Sequence, residues 1–205
     1  MQLFKINLQN NSKSINIIFM KYSFTDNSVD IKFIQKNSTF NQYFIENNSN
    51  QINEICNFLD GNEKLLLING FIGTGKTSVC EYCLNFLDTN CIVLKYDCFE
   101  TTILDDILLG FFDEFRKLSV LGKIKPPKIK SDNFAKKINT YFESIEKPIL
   151  VIINSFEEIL KSNKPEIIEF IRHLMRMSNV KVILISRAFK SGEIDMPNKK
   201  VTILA

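Results

Sequence analysis

A mainly parallel α/β sheet covered by helices on both faces, with a small β-rich appendage before it, is the fold class that the sequence predicts. Three observations carry this expectation. Short, almost wholly apolar runs such as "KLLLING", "PILVIIN" and "VKVILIS" alternate with stretches whose apolar residues recur every three or four positions. That alternation builds parallel sheets buried on both faces, a three-layer αβα arrangement. Before about residue 40 the apolar residues instead recur every second position, as in half-buried strands. The 205 residues suit one domain with a small appendage and can bury a sizeable core.

The elements follow in order. Phe4, Ile6 and Leu8 form one alternating set and Val29, Ile31 and Phe33 another, with "NNSKS" and "TDNS" as turn-like punctuation, so residues 1–43 are expected to hold two or three strands. Residues 44–205 form the second domain. Ile52, Ile55, Cys56 and Leu59 share one helical face, which Gly61-Asn62 ends. "KLLLING" is a buried strand, and "KTSVCEYCLNFL" is a helix with Val79, Cys80, Cys83, Leu84 and Leu87 facing inward. "CIVLKYD" is the next strand, and Ile107, Leu108, Phe111, Phe112 and Phe115 stripe a helix after it. The connector "GKIKPPKIK" leads to a helix carrying Phe134, Ile138, Tyr141, Phe142 and Ile145. "PILVIIN", the helix "KPEIIEFIRHLMRM", "VKVILIS" and a fifth strand in "KVTILA" complete the pattern. Ligands of such sheets sit beyond the carboxyl ends of the strands, so the residues just after each strand matter most.

Composition narrows the function classes. Hydrophobic residues make up 45% and charged residues 24%, ordinary for a globular protein, and a net charge of +3 is too small to argue for nucleic acid by itself. The excess of 18 Phe over 5 Tyr and 0 Trp reads as AT-rich coding bias rather than an aromatic binding surface. No apolar run approaches the roughly 20 residues of a membrane helix, and "MQLFKINLQNNSKS" lacks the layout of a signal peptide. Five cysteines, an odd number without an export signal, point to free thiols and a cytoplasmic location.

One motif carries chemistry. "GFIGTGKT", Gly70 to Thr77, matches G-x-x-x-x-G-K-[ST] at every defined position, between a buried strand and an amphipathic helix. Such a loop converges backbone N–H groups on phosphate oxygens, and glycine permits the approach. The following helix aims its positive N-terminal end at the same anion. The candidate nucleotide contacts are Gly70, Phe71, Ile72, Gly73, Thr74, Gly75, Lys76, Thr77 and Ser78. Lys76 is expected to reach the β- and γ-phosphates, and Thr77 to place a hydroxyl on Mg2+. After the fourth strand, Arg187 of "ISRAFK" is expected to face the γ-phosphate, the alternative being a surface arginine.

With "NQINEICNFL" before the loop, "FEEIL" after one strand and Ser186-Arg187 after another, residues 44 to 205 resemble the nucleotide-binding core of the STAND class of AAA+-related P-loop NTPases, which includes NB-ARC-like and archaeal-type ATPases. The resemblance implies ATP as ligand and a conformational switch governing assembly or signalling. It also implies a sensor role for Arg187 and a strand order with the sensor strand between the phosphate-loop strand and the acidic strand. The sequence departs from the family at Asn154 and Ser155, where two acids are usual. Asn154 can accept a hydrogen bond from metal-bound water but brings no charge, and Ser155 is a poor substitute for a carboxylate that polarises water. Glu157 is the replacement acid to test, whereas Glu158 reads as a helix cap. The family's "GR" is replaced by "ENNSNQ", which leaves adenine contacts around Phe44 and Ile45. The family's helical lid does not follow the fifth strand, so the sequence is expected to be a fragment or to lack that lid.

Other signals give way. "NKPE", Asn163 to Glu166, follows a helix rather than a strand, which disfavours guanine. Cys80, Cys83, Cys91 and Cys98 read as small buried residues rather than zinc ligands. Lys123, Lys125, Lys128 and Lys130 read as a solvated connector, because no aromatic residue interleaves for base stacking. His173 is expected on a helix surface. The resulting expectation is a slow ATPase acting as a nucleotide-dependent switch, with a protein partner or self-assembly and no membrane. The alternatives are a nucleotide-binding module without turnover and a small-molecule P-loop kinase.

Overall fold

The structure, a computed structural model, describes residues 4–10, 13–19, 45–87, 90–122, 124–125, 134–187 and 198–202. They divide into two compact units, one of residues 1–62 with 78–89 and one of 63–77 with 90–205. In the first unit, β1 (Phe4–Asn10) pairs antiparallel with β2 (Lys13–Phe19), Phe4 opposite Phe19 and Asn10 opposite Lys13. The alternation of Phe4, Ile6 and Leu8 marks β1. In β2 the run Ile17-Ile18-Phe19 interrupts the two-residue period, which hides the strand from pattern reading. The set Val29, Ile31 and Phe33 lies outside the described residues. Helix α1 (Ser49–Asp60) buries Ile52, Ile55, Cys56, Phe58 and Leu59 and ends at Gly61. Helix α2 (Lys76–Leu84) is shorter than expected, because Asn85, Phe86 and Leu87 bond to carbonyls three residues back rather than four. Cys80 and Cys83 are buried, as the inward face of α2 requires, and the Cys83 thiol donates to Ile52 O of α1 at 3.9 Å.

The second unit is built on five parallel strands: β3 (Leu65–Asn69), β4 (Ile92–Asp97), β5 (Ile149–Asn154), β6 (Val180–Ser186) and β7 (Lys199–Thr202). Their order is β4-β5-β6-β3-β7, so β6 lies between β3 and β5 as the family resemblance implies. Every residue of β6 and all but the last of β3 and β5 are buried. Each Leu or Ile withdrawn this way stabilises the fold by about 1.5–3 kcal/mol before chain entropy is counted. The edge strand β4 instead alternates and leaves Lys95 exposed.

Helices α3 (Leu104–Val120), α4 (Phe134–Ser144), α5 (Glu157–Lys161) and α6 (Pro165–Arg176) supply side chains to one continuous core with Leu65, Leu67, Leu94, Val151, Val182 and Leu184 of the sheet. The alternate sheet residues, Leu66, Ile68, Leu150, Ile152, Ile183 and Ile185, are also buried, so both sheet faces are shielded from water. Phenylalanine dominates this core. Phe115 meets Phe142 and Tyr141 edge-on at 5.0 Å, and Phe111 meets Phe142 at 6.1 Å. Asp106 accepts from the Ile103 N–H at 2.9 Å and anchors the start of α3. Lys64 donates to the carbonyls of Met177 at 3.0 Å and Ser178 at 2.6 Å, which ties the start of β3 to the end of α6. His173 is half-buried rather than on an open helix surface, 3.8 Å from Glu143.

Gly110 shows how closely α3 approaches the sheet. A Cβ there would sit 2.9 Å from Cδ2 of Tyr96, a ring also held edge-on to Phe111 at 6.5 Å. Gly110→Ala gains about 1 kcal/mol of helix propensity, but overpacking against a fixed ring costs about 1–3 kcal/mol. The expected net result is a thermal unfolding midpoint lowered by roughly 2–4 °C, read by circular dichroism. An unchanged or raised midpoint would show that Tyr96 moves aside freely.

Candidate nucleotide site

The loop that joins β3 to α2 forms as its glycines dictate. Gly73 and Gly75 have φ of 80° and 81°, which residues with a Cβ rarely adopt, and nothing lies within 4 Å of either missing Cβ. Gly70 N–H donates to Asn69 Oδ1 at 2.9 Å, and Thr74 Oγ1 donates to Phe71 O at 3.0 Å. Phe71 and Ile72 are exposed at the loop tip. Lys76, the first residue of α2, curls back over the loop, its Nζ donating to Gly70 O at 2.7 Å and Phe71 O at 2.6 Å. Burial pushes its ammonium below the ordinary lysine range, Glu157 opposes that, and Arg187 adds to it. Thr77 and Ser78 are exposed in the first turn of α2.

The ends of β5 and β6 face this loop. Asn154 closes β5, and Ser155 turns the chain with φ of 53°, a strained backbone for a residue with a side chain. The turn starts α5 at once, so Glu157 falls on its first turn and is buried. Glu157 accepts from the Arg187 backbone N–H at 3.1 Å and from Arg187 Nε. Burial raises the Glu157 carboxyl, but hydrogen bonds from the Arg187 side chain, the backbone and Ser186 outweigh it and hold the group below the ordinary value of 4.5. Arg187 Nη2 reaches Glu158 Oε1 at 2.8 Å, and Lys161 pairs with the same oxygen at 3.1 Å. Glu158 is therefore a pairing group of the α5 surface, not only a cap.

These groups enclose an open cleft of about 300 Å³, the lower end of the size range of ligand clefts. Ile72, Gly73, Lys76 and Thr77 line one side, and Asn154, Ser155, Glu157, Ser186 and Arg187 the other. Of the candidates named from the sequence, Lys76, Thr77, Asn154, Glu157 and Arg187 are thus brought together. Gly70, Phe71, Thr74 and Gly75 belong to the loop and Ser78 to α2, and none of them lines the cleft. Ile45 is half-buried ahead of α1, whereas Phe44 lies outside the described residues. A hollow of about 310 Å³ between α5 and α6 contains none of the loop residues. Sequence reasoning missed Asp97, the last residue of β4, whose carboxylate accepts from Asn154 Nδ2 at 2.8 Å. The signal was present, because "CIVLKYD" places an acid at a strand's carboxyl end.

A five-stranded parallel sheet in this order, with its loop and cleft at the carboxyl ends, defines a P-loop NTPase of the AAA+-like class. The sequence profile of the AAA domain family matches residues 59–188, more than half of the chain, and the chain belongs to that family. Among solved structures, a Walker-type ATPase of Pyrococcus abyssi is similar with TM-score 0.54 and 15% identity, over 77% of this chain and 53% of that one. Drosophila ORC bound to DNA gives TM-score 0.60 and 14% identity over 80% and 44%. Cdc6p of Pyrobaculum aerophilum gives 0.51 and 10% over 86% and 48%. The chain thus spans about half the length of these proteins. No curated protein matches it.

The Glu157–Arg187 pairing gives a pH-dependent prediction. A carboxyl held below 4.5 stabilises the fold fully above that pH, and its contribution is lost as pH falls through the lowered value. Glu157→Gln is expected to lower the unfolding midpoint at pH 7 by roughly 3–8 °C. The gap should close as pH drops below the carboxylate range, in parallel melts of the two proteins. A gap that persists in acid would mean that packing, not the charge, sets it.

Proposed function

We propose that this chain is an ATP-dependent switch of the STAND type that hydrolyses ATP slowly. The observation that carries the reading is the meeting of Lys76, Thr77, Asn154, Glu157 and Arg187 at one cleft beyond the strand ends. In this reading the loop N–H groups and Lys76 hold the phosphates, and residues 44–205 act as the nucleotide-binding domain with residues 1–43 as an appendage. Thr77 and Asn154 offer hard oxygen donors, the kind magnesium takes together with water and phosphate, so the residues fit that ion. Magnesium, when bound, supplies charge neutralisation on the phosphates. Arg187 is the γ-phosphate sensor: an anion arriving in the cleft competes with Glu157 for the guanidinium, and release of Glu157 turns occupancy into a structural change.

Ser186-Arg187 after β6 favours the STAND type. Adenine is preferred because Asn163 to Glu166 spans the end of the turn after α5 and the start of α6 and does not follow a strand, as a guanine reader should. The pairing of Glu157 with Arg187 favours a second reading, a nucleotide-binding module without turnover, since the one carboxylate among the described residues of the cleft is already engaged. Drosophila ORC, one of the fold's neighbours, is bound to DNA in its structure. For this chain we infer a protein partner or self-assembly instead, because the net charge is only +3 and no aromatic residue interleaves with the lysines of the connector. A cytoplasmic setting agrees with the free cysteines among the described residues. No helix among those residues is long and apolar enough to cross a membrane.

Titration calorimetry with ATP, followed by a phosphate-release assay, tests this. Wild type should bind ATP and release phosphate slowly, and Lys76→Ala should weaken binding by about 100-fold, the loss of a charged phosphate contact, and abolish release. Binding without release selects the module. Equal binding by Lys76→Ala would remove the loop from the site.

A further inference from the structure

We infer that Asp97 is the acid of the magnesium site, a positioning residue that acts through Asn154 and replaces, from the neighbouring strand, the charge that Asn154 lacks. The inference rests on the nucleotide reading above and deepens it. Asp97 and Asn154 are register partners at the carboxyl ends of β4 and β5, so their side chains leave the sheet on the same face. The pairing continues one residue further, Cys98 N–H donating to Asn154 O at 3.0 Å, which fixes both Cα atoms on ladder-bonded backbone.

The side chains then settle each other's orientation. An ionised carboxylate only accepts hydrogen bonds, so the atom of the Asn154 amide facing Asp97 Oδ1 at 2.8 Å must be Nδ2. The amide is planar, and with Nδ2 committed its Oδ1 is directed away from Asp97. Asn154 itself lines the cleft opposite Lys76 and Thr77, whereas Asp97 does not. Asp97 thus stands behind the amide: it holds the oxygen available as an acceptor for metal-bound water, and it polarises the N–H that would disperse the positive charge. A neutral asparagine backed by a carboxylate is a split version of a single aspartate. The simpler alternative, a solvated acid at a strand end, accounts for neither the register match nor the oriented amide.

The experiment is calorimetric titration of the full chain with ATP, once in EDTA and once in excess magnesium. It compares wild type, Asp97→Asn and the exchanged pair Asp97→Asn with Asn154→Asp. For wild type, magnesium should strengthen ATP binding. Asp97→Asn should keep the EDTA affinity and the unfolding midpoint while losing about tenfold or more of the magnesium gain, as outer-sphere partners of a metal typically do. The exchanged pair keeps an amide–carboxylate hydrogen bond with the charge moved into the cleft, and it should recover the gain. Asp97→Asn with a wild-type magnesium gain overturns the inference and leaves the nucleotide reading intact. So does an equal loss in EDTA and magnesium, which would mark a structural role, and so does an exchanged pair that recovers nothing. A wild type that binds ATP without any magnesium gain also overturns it, and one that binds no ATP at all sinks both readings together.

Discussion

Parallel pairing of β6 between β3 and β5 is the constraint on which the rest of the nucleotide-binding unit depends. Five strands running the same way deliver their last residues to one edge of the sheet. With β6 in the middle, its end stands between the loop of β3 and the exit of β5. Residues far apart in sequence, Lys76, Asn154 and Arg187, become neighbours for no reason beyond strand order. The junction is stitched by backbone as well: Phe156 N–H donates to Ile185 O at 3.0 Å, and the Arg187 N–H to Glu157 at 3.1 Å. A site assembled this way inherits its precision from the buried Leu, Ile and Val side chains that hold the strands, since a slip in register would move every contributor at once.

The electrostatics of the cleft follow from how few full charges its described residues carry. Among the described residues Lys76 and Arg187 are its cations, and Glu157, buried and multiply hydrogen-bonded, is its engaged anion. At the end of β5 stand two neutral residues, Asn154 and Ser155, where the family resemblance implies acids. In the proposed reading this balance suits an anionic ligand. Charge that a protein leaves out of one position can reappear across a hydrogen bond, and Asp97 beside Asn154 shows how little of that relocation a linear reading reveals.

The legibility of this chain in its sequence divides along physical lines. Strands buried on both faces leave continuous apolar runs, so β3, β5 and β6 stand out, and the loop after β3 is recognisable because glycine spacing and the lysine are themselves the chemistry. Helix α3 is equally plain, since Ile107, Leu108, Phe111 and Phe115 fall on one face. Helix α2 ends three residues before its apolar periodicity does, because tightening from four-residue to three-residue bonds leaves no mark on that periodicity. What the sequence hides are relations between strands. That Glu157 would face Arg187, or that Asp97 would lie beside Asn154, depends on which strands are neighbours, and no spacing along the chain encodes it. The nearness of His173 to Glu143 is hidden for a similar reason, since the two come from different helices.

The curled lysine of the loop has a consequence for selectivity. Lys76 already makes two hydrogen bonds to Gly70 and Phe71 carbonyls, so a ligand enters by exchange rather than by filling an unsatisfied cation. An incoming molecule must offer at least two good acceptors to replace those surrendered, and a hydrogen bond left unmade at a partly buried group costs about 1–3 kcal/mol. A nucleoside without its terminal phosphates returns fewer acceptors than it displaces, and the loop stays folded on itself. In the proposed nucleotide reading the resting loop therefore acts as its own competitor, setting a threshold of negative charge below which small molecules pass by.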